Sequence, residues 1–402
     1  YRLTDDKKAR AVLTVNTVVN VALLIFFKYF DLLAATLSRI PGISIPALGL
    51  TLPIGISFYT FQTMSYPIDV YRGDTEEQKN FIRFGTFVAL FPQLIAGPIV
   101  RYETVEQEIL ERRESIDDVA AGLRRFILGL AKKVLLADNL GAAFQSISAL
   151  SSSSLSGGSA WLGAIFYSLQ LYFDFSGYSD MAIGMAKLFG FDFDANFDHP
   201  YLSGSLTEFW RRWHISLGRW FRDYVYIPLG GSRVSTAKCV RNLLIVWILT
   251  GLWHGASWTF AAWGLYHGIL LLLEKYPLKG VLEKTPSPIR HILTLLAVII
   301  GWVLFFSPDF SSALFYLGRM FGAGSRAFWD STAKYYFAAN WKLLLIGILG
   351  CGPWIRTLYQ RLVFSRRGLG LALSALLLVG IFLLCVPYMM NATYQSFLYA
   401  QF

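Results

Sequence analysis

Two histidines stand in runs where an imidazole could act on a substrate hydroxyl. His214 lies in Leu206-Thr207-Glu208-Phe209-Trp210-Arg211-Arg212-Trp213-His214-Ile215-Ser216-Leu217, and His254 in Thr250-Gly251-Leu252-Trp253-His254-Gly255-Ala256. An imidazole with an ordinary pKa of ~6.5 can take a proton from an attacking hydroxyl near neutral pH. Both runs are apolar and aromatic enough to lie in or against a membrane. An ionisable side chain at that depth is costly without a partner or a water-filled cavity, which makes it a candidate functional residue. His254 is the expected catalytic residue and His214 its companion.

The periodicity predicts an amphipathic basic helix over 206–225. At about 100° per residue, Trp210, Trp213, Leu217, Trp220, Phe221, Tyr224 and Val225 fall within an arc of roughly 140°. Arg211, Arg212, Arg219, Arg222 and Asp223 fall opposite. Such a helix lies along a membrane face or dips into a funnel there. His214 falls inside the apolar arc, where a core histidine bonded to a backbone carbonyl fits as well as a functional one. The arginines suit lipid phosphates and the positive-inside bias. They equally suit a phosphate-bearing donor, because guanidinium pairs bidentately with phosphate.

Residues 242–273 are expected to hold the helices that present His254. Gly251 and Gly255 are four apart, a spacing that lets helices approach closely. Trp247, Gly251, His254 and Trp258 would share one helical face. His267 points about 140° away from His254 on the same count and is expected to be structural. His199 and His291 lie near loops and receive no role. Asp174 and Asp180, in the run Tyr172–Asp180, can orient a histidine, bind substrate, cap a helix or make a polar contact in the bundle. No nucleophile elbow, Walker-type loop or HExxH run is present. The three cysteines, Cys239, Cys351 and Cys385, have neither disulfide nor metal-ligand spacing, so no metal is expected.

These residues need elements to hold them. Of the 402 residues 55% are hydrophobic and 15% charged, with a mean hydropathy of +0.47; an ordinary soluble domain is roughly 25% charged. The expected fold class is an all-α polytopic membrane protein, one domain over 1–402. The net charge of +10 fits Lys and Arg gathered in cytoplasmic loops against anionic lipid, and no nucleic-acid module accompanies it. Roughly eight to ten membrane segments are expected by hydropathy. They include 11–33, 47–70 broken by Pro53, Gly55 and Pro67, 82–100, 160–190, 257–273, 291–307, 342–358 and 368–389. Residues 119–140, with Arg124, Arg125, Lys132 and Lys133, read as an interfacial helix.

The chain resembles the membrane-bound O-acyltransferase family, most closely its bacterial alginate O-acetyltransferase branch. The resemblance rests on 52–62 (Leu-Pro-Ile-Gly-Ile-Ser-Phe-Tyr-Thr-Phe-Gln), 91–101, 172–182, 207–217, 251–256 and the closing 397–402. It implies a ring of tilted transmembrane helices around a thin centre, with a cytoplasmic funnel, in the bacterial inner membrane. It implies that His254 is catalytic and His214 the second functional residue. Trp210, Arg211, Arg212, Trp213, Trp253, Asp174 and Asp180 are the candidate substrate contacts. No cofactor is held permanently: acetyl-CoA or another acetyl thioester is the donor substrate. The implied acceptor is an extracytoplasmic polysaccharide, served by a periplasmic acetyltransferase partner. Two departures stand out. Family members usually carry further helices before the point where this chain starts, and usually have Gln or Asn at the position of His199. Related branches transfer D-alanine to teichoic acid.

Three readings follow: an acyltransferase, a transporter of acyl groups or polymer without chemistry of its own, and a scaffold in which the histidines are dispensable. No cysteine lies beside either histidine run, so direct transfer is simpler than an acyl-enzyme.

Overall fold

The computed structural model describes residues 6–95, 97–324, 327–364 and 367–391, and their regular structure is entirely helical. Helix α1 (Asp6–Leu37) contains a π turn at Ile25–Tyr29. Helix α2 (Ile56–Arg72) starts after Gly55, whose φ of 77° is open to glycine and strained for other residues. Helix α3 (Ile116–Ala131) continues through a second π turn into Asp138–Ser148. Helix α4 (Gly157–Leu188) is the axis of the molecule: 32 residues long, most of them buried. Two short helices follow, α5 (Leu206–Arg212) and α6 (Ile215–Phe221), then the hairpin of α7 (Thr236–His254) and α8 (Trp258–Lys275), and then α9 (Ser287–Phe306).

Glycine sets the close approach of α3 to α4. A Cβ on Gly129 of α3 would stand 2.6 Å from the Gly177 carbonyl of α4, and one on Gly184 would stand 2.6 Å from the Gly122 carbonyl. Seven-residue spacing on both helices keeps the two contacts on one seam. The helix expected at the interface over 119–140 packs along α4 through this seam. Its cations turn to carboxylates of α4: Arg125 and Lys132 pair with Asp180 at 2.9 and 2.6 Å, and Lys133 pairs with Asp174 at 2.7 Å. A carboxylate within the bundle needs such partners.

By length and composition, three helices among the described residues could cross a membrane: Asp6–Leu37, Ser287–Phe306 and Gly370–Met390. Ser331–Gly350 and Trp354–Arg361 could form a fourth span, bent by 75°. These correspond to the expected segments at 11–33, 291–307, 368–389 and 342–358. Residues 82–100 instead form Phe81–Ala89 and the single turn Phe91–Leu94, and 47–70 becomes helical only from Ile56. The closing run 397–402 lies outside the described residues.

The expected continuous helix over 206–225 is two helices broken at Trp213–His214, followed by a π turn at Arg222–Tyr226. His214 has φ 46° and ψ 56°, the left-handed region, which no helix can run through. The sidedness persists across the break. Trp213, Leu217, Trp220, Phe221 and Tyr224 are buried, whereas Arg211, Arg219 and Arg222 are exposed.

Candidate active site

The break that ends α5 turns the His214 ring into the interior. The stretch before α5 holds it there. Asp198 N donates to Arg212 O at 2.9 Å, and Ile215 N to Asn196 O at 2.9 Å, so 196–198 runs beside 212–215. The Asn196 side chain is the keystone. Its Oδ1 accepts from Ser216 N at 3.1 Å, from Ser216 Oγ at 2.9 Å and from His214 Nδ1 at 3.2 Å, while its Nδ2 donates to Ser179 Oγ of α4 at 3.2 Å. A backbone N–H can only donate, so Oδ1 is the acceptor and His214 Nδ1 carries the proton. Nε2 is then the acceptor nitrogen of that ring.

His254 is the last residue of α7, and Gly255 after it is extended. The α7–α8 hairpin is drawn together at Gly251 and Gly264: a Cβ on Gly251 would run into the Phe260 carbonyl, and one on Gly264 into the Trp247 carbonyl. Trp258 is corrected from the shared face. It begins α8, is exposed, and donates Nε1–H to Thr36 Oγ1 at 3.1 Å. The His254 ring sits in an aromatic wall, 5.1 Å from Trp253, 5.1 Å from Trp263 and 5.3 Å from Phe305 between centroids. His214 lies 6.5 Å from His254, and each is only 3% exposed. The two runs found forty residues apart in sequence thus deliver two buried imidazoles to one place.

The other candidate residues are distributed around this pair. Trp253 packs 5.8 Å from His214 and donates Nε1–H to Ser57 O at 3.1 Å. Trp213 is buried against Phe209 and Trp302. Trp210 is half-buried and packs 4.8 Å from both Trp247 and His267. His267 is fully buried, and the Trp263 ring that touches His254 touches it too, at 5.1 Å. Arg211 is exposed, and Arg212 pairs with Glu208 at 2.7 Å. Asp174 pairs with Lys133, and Asp180 with Arg125 and Lys132. On the exposed basic face, burial works against the Asp223 charge, but hydrogen bonds from Arg222 and Arg101 hold its carboxyl below the usual carboxylate range.

Sequence reasoning missed Asn196, Ser57 and Lys28. Lys28 Nζ donates to Trp253 O at 2.7 Å and to Ser57 Oγ at 2.9 Å. A signal was present, since Lys28 is the one cation between residues 11 and 33, in a helix apolar enough to cross a membrane, where a cation is costly. Nothing in the spacing marked Asn196. Beside Gly255, a cavity of about 280 Å³ is lined by residues including Phe26, Lys28, Asp31, Leu52 and Phe260. Among the described residues, no group of three or more His, Cys, Asp or Glu is arranged to hold a metal ion.

The profile of the membrane-bound O-acyltransferase family matches residues 75–317, a stretch that contains both histidines. The chain belongs to this family. Among other relatives, it is 45% identical over 322 residues to a probable alginate O-acetylase of Azotobacter vinelandii, covering 79% of this chain and 64% of that protein. It is 37% identical to a peptidoglycan O-acetyltransferase of Helicobacter pylori, over 77% of this chain and 64% of that protein. A teichoic acid D-alanyltransferase of Bacillus subtilis is 28% identical over 61% of this chain and 65% of its own length. The chain thus spans less than two thirds of the length of these relatives. Within the membrane-bound O-acyltransferases, it is similar to proteins named as acetylating alginate or peptidoglycan and as transferring D-alanine to teichoic acid.

Proposed function

We propose that this protein moves an acetyl group from a thioester to the hydroxyls of an extracytoplasmic polysaccharide, with His254 as general base. The observation that carries the reading is the pair of buried imidazoles 6.5 Å apart, one of them fixed by Asn196. The 45% identity to alginate O-acetylases supports acetyl as the group and an alginate-like polymer as the acceptor.

The hydroxyl gives its proton to His254 as its oxygen attacks the thioester carbonyl. The tetrahedral oxyanion collapses, the carbon–sulfur bond breaks, and the proton on His254 passes to the departing thiolate. His214 orients the hydroxyl. Stabilising an oxyanion needs a donor, and with Nδ1–H given to Asn196 the other nitrogen is an acceptor. Arg211 and Arg212, on the basic side, receive the phosphate-bearing donor, acetyl-CoA or another acetyl thioester. Trp210, Trp213 and Trp253 wall the path between. The setting is a multi-pass protein of the bacterial inner membrane, with helices around a thin centre and a cytoplasmic funnel. A periplasmic acetyltransferase partner carries the group onward.

The test separates this reading from transport without chemistry. Membranes bearing the protein, given radiolabelled acetyl-CoA, should release free CoA in step with label entering polysaccharide. Label crossing the membrane as intact acetyl-CoA, with no CoA released, would favour the transporter.

A further inference from the structure

We propose that Lys28 is a positioning residue for His254, acting by closing the end of the helix that carries it. The inference rests on the reading of His254 as the base. Lys28 lies ahead of the stretch matched by the family profile.

The last turn of any helix leaves carbonyls without intrahelical partners. In α7 that turn is Gly251-Leu252-Trp253-His254. The π turn of α1 meets it with two consecutive side chains. Tyr29 Oη donates to Leu252 O at 2.6 Å, and Lys28 Nζ donates to Trp253 O at 2.7 Å. Lys28 also donates to Ser57 Oγ at 2.9 Å, and the Trp253 indole returns a bond to Ser57 O at 3.1 Å. Lys28, Ser57 and Trp253 thus form a closed set joining α1, α2 and the residue just before His254. Lys28 also stands at the C-terminal end of α7, where the macrodipole favours positive charge. It is 9% exposed, and its Nζ lies 5.9 Å from the Trp253 ring centroid.

The placement matters because His254 has no helix beyond it. Gly255 is extended, and a Cβ there would run into the Phe260 ring, so the chain leaves the helix in a confined path. The direction of the imidazole is therefore set by how the final turn is closed. Lys28 and the α8 contact at Gly251 both hold that turn.

The experiment uses the full chain in membranes, with radiolabelled acetyl-CoA as donor and the cell's own polysaccharide, chemically deacetylated, as acceptor. Variants are Lys28→Met, Lys28→Arg, Tyr29→Phe and His254→Ala, each checked for abundance and melting temperature. Lys28→Met should lower kcat roughly ten- to hundred-fold with KM for acetyl-CoA within about twofold, the mark of lost alignment rather than lost binding. Lys28→Arg should restore most of that loss, since the neighbouring cavity of about 280 Å³ leaves room for a guanidinium. Tyr29→Phe should fall between Lys28→Met and the parent. Full kcat in Lys28→Met while His254→Ala is inactive would overturn the inference. So would equal losses in the Met and Arg variants, or a loss that follows abundance. Activity in His254→Ala would overturn the base assignment itself, so the two failures are read separately.

Discussion

His214 gives its Nδ1 proton to Asn196 Oδ1 at 3.2 Å, and the same oxygen holds both the N–H and the hydroxyl of Ser216. One side chain therefore fixes the tautomer of the imidazole and the start of the helix after it. Asn196→Ala should lower transfer roughly ten-fold or more by freeing the ring, and cost about 1–3 kcal/mol of stability for the buried donors it strands. Asn196→Asp keeps an acceptor at the same reach and should recover part of the activity. Transfer rates and melting curves of the two variants, measured side by side, check this. Equal inactivity with unchanged melting would contradict it.

The Lys133–Asp174 pair separates structural from substrate roles for Asp174. Lys133 Nζ lies 2.7 Å from Asp174 and 2.8 Å from Asp138, and Asp174 is 1% exposed. Removing one member of a buried pair costs roughly 3–5 kcal/mol. Lys133→Met should therefore reduce folded protein sharply, and adding Asp174→Leu should recover much of it. A Lys133→Met protein that melts normally but no longer transfers acetyl would instead place Asp174 in substrate binding.

The α3–α4 seam is testable through glycine alone. A Cβ on Gly129 would meet the Gly177 carbonyl at 2.6 Å and Met181 N at 2.7 Å. Gly129→Ala should destabilise by about 1–3 kcal/mol through overpacking. Gly280→Ala is the control, because nothing lies within 4 Å of its Cβ. Melting of the two in detergent reads the difference, and equal melting would remove the seam from the account.

Direct transfer predicts that no cysteine is required. Cys351 and Cys385 are buried, and Cys239 lies 3.2 Å from Lys275 Nζ. Each Cys→Ala variant should keep more than about half of the parental rate, since core cysteines act as small apolar residues. Loss of transfer in a single variant that still folds would revive a covalent route.

Helical class, the apolar ends of the chain and the two histidine runs were legible because each rests on local pattern. Trp213, Leu217, Trp220, Phe221 and Tyr224 are buried as periodicity predicted, although the helix breaks at His214. The break leaves no mark in the periodicity because it depends on a left-handed residue held by Asn196, a contact eighteen positions away in sequence. The carboxylate partners of Lys132, Lys133 and Arg125 lie on another helix, which hydropathy cannot show because it counts charge without its partners. The capping of α7 by Lys28 crosses 225 positions and leaves no mark in any window.

The most direct measurement is the acetyl content of exopolysaccharide from a strain whose only copy carries His254→Ala, with membrane abundance of the variant followed in parallel. The account predicts normal abundance and acetylation reduced by at least roughly 100-fold, the scale of a lost general base. Acetylation at the parental level from an equally abundant variant would contradict the assignment of His254 and move transport or scaffolding to the front.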